Sequence, residues 1–101
     1  MNIVFGNTKI KKVCKNAIGK LKRRLDDIRA AENMEVLMKI PGRCHPLRAN
    51  KKGQWAIDLE HPYRLVFEPF EDPLPVSKDG WLDLKLITTV KLIEVEDYHG
   101  K

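Results

Sequence analysis

Acidic residues are missing from the first 24 positions of this chain, cysteine occurs only twice, and no apolar run approaches membrane length. Between Met1 and Arg24 stand eight basic residues (Lys9, Lys11, Lys12, Lys15, Lys20, Lys22, Arg23 and Arg24) and no Asp or Glu. The other 77 residues carry 11 basic against 14 acidic side chains, so the excess behind the net charge of +5 is all N-terminal. Such a stripe attracts polyanions, because neutralising phosphates releases condensed counterions. A solvated helix face is the equally ordinary reading of the same charges.

The scarcity of cysteine excludes a disulfide framework, and Cys14 and Cys44 read as reduced thiols. The longest uncharged stretch, Met1 to Thr8, is far short of the roughly 20 apolar residues a membrane span needs, so no membrane association is expected. Apolar Ile3, Val4 and Phe5 precede Lys9, the reverse of the order in a secretory signal, which predicts a cytoplasmic protein. With 43% hydrophobic residues in 101, the chain is too apolar for a disordered tail and about the size of one domain, expected to span 1–101.

Periodicity divides the chain into a helical and a stranded half. Asn2 to Gly6 reads as an opening strand, with Asn7 or Thr8 capping the helix after it. Ile10, Val13, Cys14, Ala17, Leu21, Leu25 and Ile28 recur at steps of three and four, the spacing of an amphipathic helix that Gly19 is able to break in two. Asn33 offers a second cap for Met34 to Lys39, and Pro41-Gly42 ends that turn. Beyond Pro41 the period becomes two. Trp55, Ile57 and Leu59 form one expected strand and Tyr63, Leu65 and Phe67 its antiparallel partner, with Trp55 and Tyr63 assigned to the core rather than to base stacking. Phe70 to Gly80 reads as a loop, and Leu84 to Val95 as a long central strand with apolar residues on both faces. The expected fold class is α+β, with N-terminal helices packed on a small, twisted, mainly antiparallel sheet.

Two short stretches carry reactive side chains: Cys44-His45-Pro46-Leu47-Arg48, and Glu96-Asp97-Tyr98-His99 at the end of the last strand. Histidine exchanges protons near neutral pH, and Arg48 is permanently charged and matches phosphate geometry. RNA supplies its own nucleophile in the 2′-OH. A protein cutting it therefore needs only a proton acceptor, a proton donor and cations for the charge that builds on phosphorus. A surface histidine and a tyrosine covering a sheet edge are the bland readings of the same residues. Cys14, Cys44, His45, His61 and His99 lack metal-ligand spacing, so no metal and no cofactor are expected.

In order along the chain stand Pro41-Gly42-Arg43-Cys44-His45-Pro46-Leu47, Lys52-Gly53-Gln54-Trp55, His61-Pro62-Tyr63-Arg64-Leu65-Val66-Phe67 and Val95-Glu96-Asp97-Tyr98-His99. This ordered set resembles the HigB-like killer proteins of the RelE/ParE toxin superfamily, from the opening strand to Gly100. HigB-like and RelE-like toxins are mRNA interferases that cut mRNA in the ribosomal A site and are held inactive by a cognate antitoxin. The resemblance implies a type II toxin that cuts mRNA on the ribosome without metal, with a HigA-like helix-turn-helix antitoxin, the ribosome and mRNA as its partners.

It places the site at His45, Arg48, Asp97, Tyr98 and His99. His45 and His99 would share the acid and base roles, Tyr98 would orient the base or the nucleotide, and Arg48 would stabilise the phosphorane. Many relatives have Lys-Gly where this chain has Arg48-Ala49, which narrows that position to electrostatics. Arg64, Lys51, Lys52, Lys22, Arg23 and Arg24 are the accompanying candidates for RNA phosphate contacts. ParE-like relatives on the same fold poison DNA gyrase instead. A degenerate module that only binds RNA or antitoxin is the third reading.

Overall fold

The computed structural model describes residues 1–48, 51 and 53–97. Three helices, α1 (Thr8–Lys15), α2 (Gly19–Ala30) and α3 (Met34–Lys39), follow a first strand, β1 (Asn2–Phe5). Four strands come after them: β2 (His45–Pro46), β3 (Trp55–Asp58), β4 (Tyr63–Pro69) and β5 (Thr89–Asp97). They form one five-stranded sheet in the order β1-β5-β4-β3-β2, antiparallel except where β1 runs parallel to β5. The expected α+β class is therefore the observed one, with β5 an interior strand between β1 and β4.

Local chemistry sets the helix boundaries. Asn7 caps α1 by accepting from the Ile10 amide at 2.9 Å, and Asn33 caps α3 by accepting from Val36 at 3.0 Å. The single helical period of residues 10–28 is cut in two. Gly19 takes φ +60, and Ile18, the cap residue of α2, makes no side-chain cap bond. Glu60, from the β3–β4 connection, supplies the acceptor instead, its Oε2 3.0 Å from the Lys20 amide. That backbone hydrogen bond holds its carboxyl below the ordinary range. A Cβ on Gly19 would sit 2.7 Å from the same oxygen, so glycine here serves both the turn and the cap.

The core lies between the helices and one face of the sheet. Ile10, Leu25, Ile28, Met34 and Leu37 pack with Ile57, Leu65, Phe67, Val90 and Leu92. Trp55 is in this core as expected, whereas Tyr63, opposite Asp97 at the sheet's end, is 47% exposed. The expected strand over Leu84 to Val95 begins only at Thr89. Leu84–Leu86 form a 3-10 turn in which the Asp83 side chain accepts from the Lys85 amide, and Leu86 points to solvent. Cys14 and Cys44 are free and buried. Burial pushes the Cys44 thiol up to about 12, far from reactive thiolate chemistry. No helix among the described residues is long and apolar enough to cross a membrane.

Candidate functional site

The sheet face turned away from the helices carries a ladder of charges. Registered partners on neighbouring strands share a face, so His45, Ala56, Val66 and Glu94 form one row across β2, β3, β4 and β5. Asp58, Arg64 and Glu96 form the next. Ala56 and Val66 are fully buried although neither belongs to the core between helices and sheet. Lys51 joins the acids of both rows. Its Nζ lies 3.0 Å from Glu96 Oε1 and 3.6 Å from Glu94 Oε2.

Glu96 is the centre of this arrangement. Its Oε2 accepts from Arg64 Nε at 2.7 Å while its Oε1 faces Lys51, with side-chain exposures of 10% for Glu96 and 17% for Arg64. Burial alone raises a carboxyl pKa. Here the hydrogen bonds and charges of Lys51 and Arg64 outweigh it and leave Glu96 below the ordinary carboxylate range. The same hydrogen bond to Glu96 raises Lys51. Arg48 belongs to the turn that Lys51 anchors, its carbonyl accepting from the Lys51 amide at 3.2 Å, and its own side chain is exposed. Lys51 and Arg64, distant in sequence, are thus brought together by a carboxylate that the motifs passed over, with Arg48 adjoining Lys51 through the backbone. The signal was present, since Glu96 stands inside the C-terminal Val95-to-His99 block. Sequence alternation cannot say which of two adjacent acids, Glu96 or Asp97, meets the cations.

Asp97 takes the other side. It is paired with Tyr63, so strand alternation places it on the face of Leu65 and Val95, opposite Glu96. Tyr98, His99 and Lys52 lie outside the described residues.

His45 sits on the far edge strand. Its Nδ1 is 2.6 Å from the Arg43 carbonyl oxygen. A carbonyl only accepts, so Nδ1 carries the proton, and in the neutral ring Nε2 is left with the lone pair. Arg43 is itself held at φ +54, in the left-handed region, by a bidentate ion pair to Asp58 at 2.8 and 3.3 Å. Two strands separate His45 from β5, a lateral spacing of about 14 Å between their backbones. The strands therefore do not place His45 beside Asp97.

The basic N-terminal stripe is largely a surface, with one correction. Lys22 and Arg23 are exposed on α2, Lys22 forming only a loose 3.5 Å pair with Asp26. Arg24 is 7% exposed, with Nε on the Asp58 carbonyl at 3.1 Å and Nη1 on Asp27 at 3.1 Å. Its fork is spent inside the fold, so it is not a phosphate contact. It tethers α2 to the end of β3. No group of three or more His, Cys, Asp or Glu side chains placed to hold a metal occurs among the described residues.

Neither a protein-family model nor a curated protein matches the sequence. Solved structures do. The fold is similar to that of a YoeB/ParE toxin from Agrobacterium tumefaciens, with a TM-score of 0.58 and 17% identity over 98% of this chain and 100% of that one. A second similar structure is the YoeB dimer from Staphylococcus aureus, with a TM-score of 0.48 and 19% identity over 98% of this chain and 97% of that one. Helices on one face, a charged outer face and an interior β5 are thus set in a fold shared, over nearly its whole length, with the Agrobacterium YoeB/ParE toxin.

Proposed function

We propose that this protein is the toxin of a type II toxin-antitoxin pair, a HigB-like mRNA interferase that cuts mRNA on the ribosome without a metal. The observation that carries the reading is the pairing of Lys51 and Arg64 with Glu96 near the C-terminal end of β5, with Arg48 bonded through its backbone to Lys51, in a fold shared with a YoeB/ParE toxin. Cleavage needs little from the protein. The RNA 2′-oxygen attacks the adjacent phosphorus, the bond to the 5′-oxygen breaks, one group takes the 2′ proton and another returns a proton to the 5′-oxygen. Cations hold the charge on the phosphorane.

In this account the mRNA lies across the outer face, between the β2 edge and the end of β5. His45, with its Nε2 lone pair, and His99 divide the proton transfers, Arg48 faces the phosphorane, and Tyr98 orients the nucleotide. Asp97 supports the C-terminal residues from the opposite face. Lys51 and Arg64 set the local field, Lys52 adds a phosphate contact, and Lys22 and Arg23 grip ribosomal RNA. A HigA-like helix-turn-helix antitoxin is the partner that silences the site, and the cytoplasm is where it acts.

One observation favours a second reading. The spacing between His45 and β5 suits binding better than a compact acid-base pair, as a ParE-like gyrase poison would require. Ribosomes programmed with a defined mRNA separate the two, with primer extension as the readout. The nuclease reading expects cuts within the A-site codon that fall at least about 100-fold in rate in His45→Ala and Arg48→Ala, the scale of a lost acid, base or charge stabiliser. Intact mRNA together with arrested supercoiling by purified gyrase would establish the poison.

A further inference from the structure

The sheet fixes the backbone of His45 but not its ring. Pairing with Ala56 sets the strand at residue 45, yet a β ladder chooses neither the orientation of an imidazole nor the nitrogen that carries its proton. The carbonyl of Arg43, 2.6 Å from Nδ1, makes that choice. Its own position is a costly one. Arg43 has φ +54, a region that residues with a Cβ rarely adopt, and it follows Gly42 at φ +123. Two successive residues of positive φ need something to hold them.

Asp58, at the end of β3, holds both. Its amide donates to the Gly42 carbonyl at 2.7 Å, and its carboxylate accepts from the Arg43 guanidinium at 2.8 and 3.3 Å. Asp58 is in turn tied to α2, its carbonyl accepting from Nε of the buried Arg24 at 3.1 Å. The Arg43 side chain is 65% exposed, so the ion pair adds little to stability, whereas its bidentate geometry fixes direction as well as distance. The sequence motifs pass over Asp58, whose partners Arg43 and Arg24 stand 15 and 34 residues away.

We infer that Asp58 is a positioning residue for His45: its grip on Arg43 keeps the Arg43 carbonyl on Nδ1 and so reserves Nε2 for the proton exchanged with RNA. The inference rests on the interferase reading above. With Nδ1–H on the carbonyl, the Nε2 lone pair takes the 2′ proton and the ring becomes an imidazolium whose Nδ1–H keeps the same acceptor. Passing that proton on from Nε2 restores the neutral ring. One nitrogen therefore works in both directions, and the ring does not have to turn between the two steps.

Long-range nitrogen–proton NMR of the imidazoles in the free protein reads the His45 tautomer, at a pH about two units above the unperturbed histidine value. The parent should hold the Nδ1–H form. Asp58→Asn keeps the amide and carbonyl of residue 58, and it should lower the ratio of Nδ1–H to Nε2–H about fivefold, the scale of one neutral hydrogen bond. Arg43→Ala and Arg43→Gly both remove the ion pair, and they serve equally where Asp58→Asn fails to fold. Only glycine enters positive φ readily, so Arg43→Gly should keep more of the Nδ1–H form than Arg43→Ala. On ribosomes programmed with a defined mRNA, Asp58→Asn and Arg43→Ala should lower kcat about tenfold with KM near that of the parent, as for a misplaced proton acceptor rather than lost binding. An unchanged ratio in Asp58→Asn, or equal losses in the two Arg43 variants, overturns the proposal. So does an unchanged kcat beside a shifted ratio. A parent that leaves mRNA intact while the ratio shifts overturns the interferase reading but upholds the hold of Asp58 on His45, since the tautomer is read without RNA.

Discussion

Replacing Glu96 with Gln preserves its shape and removes the charge that holds Lys51 and Arg64 together. Hydrogen bonds to charged groups contribute about 1.5–3 kcal/mol each, so Glu96→Gln should lower unfolding free energy by a few kcal/mol in urea denaturation at neutral pH. The pH dependence has a definite sign. Because the folded carboxyl lies below its ordinary value of 4.5, its stabilisation is present above that pH and is lost as pH falls through the folded value. Lys51, raised above 10.5, acts in the opposite sense: its contribution is present below 10.5 and lost as pH rises through the folded value. The variant should therefore show a shallower acid limb than the parent. At Gly42, φ is +123 and a Cβ would approach Ile57 Cγ1 to 2.8 Å and Arg24 Nε to 2.9 Å. Gly42→Ala should cost about 1–3 kcal/mol in the same assay, combining left-handed strain with displacement of the buried Arg24 fork. The Pro41-Gly42 pair marked the turn correctly. It gave no sign that Gly42 also makes room for Arg24, because that contact joins residues far apart in the chain.

At the scale of elements, legibility followed how local the cause is. Asn7 and Asn33 cap their helices through bonds spanning three residues, and both were readable. Asn33→Ala should cost about 1 kcal/mol by thermal or urea unfolding, since it removes the acceptor for the Val36 amide and puts nothing in its place. The start of α2 was readable only as a glycine break, because its acceptor, Glu60, comes from a hairpin 40 residues away. Hydrogen exchange at the Lys20 amide should speed up in Glu60→Ala while the amides of α3 keep their rates. β2 is two residues long, too short for any alternation, and exists through pairing with Trp55 and Ala56. The opposite error occurred at Leu84–Leu86, where apolar residues on both faces suggested a strand and a side-chain cap from Asp83 made a turn. Apolar residues expected on both faces made β5 readable as a strand away from the edge, and it does lie between β1 and β4, although its outer face carries Glu94 and Glu96.

On the whole molecule, charge is divided by function of position. The N-terminal helices present an exposed cationic surface from α1 and most of α2, while the outer face of the sheet couples cations to acids in a partly buried network. The two respond differently to salt. Surface cations that contact phosphates should be screened steeply, so removing Arg23 should reduce the slope of log affinity for RNA against log salt by about one unit. Arg24→Ala should leave that slope unchanged and lower stability instead, because its guanidinium is bonded to Asp27 and to the Asp58 carbonyl. The sequence could not make this distinction, since both arginines stand in one basic run and only the packing of α2 against β3 separates them.

The central claim, cleavage of mRNA on the ribosome, is most directly tested by mapping mRNA 5′ ends across the transcriptome after brief induction of the parent, Arg48→Ala and His99→Ala in cells without an antitoxin. The account predicts new ends at a fixed position within translated codons, absent upstream of start codons and lost in both variants. Growth arrest with no new ends, or ends that persist unchanged in both variants, would contradict it.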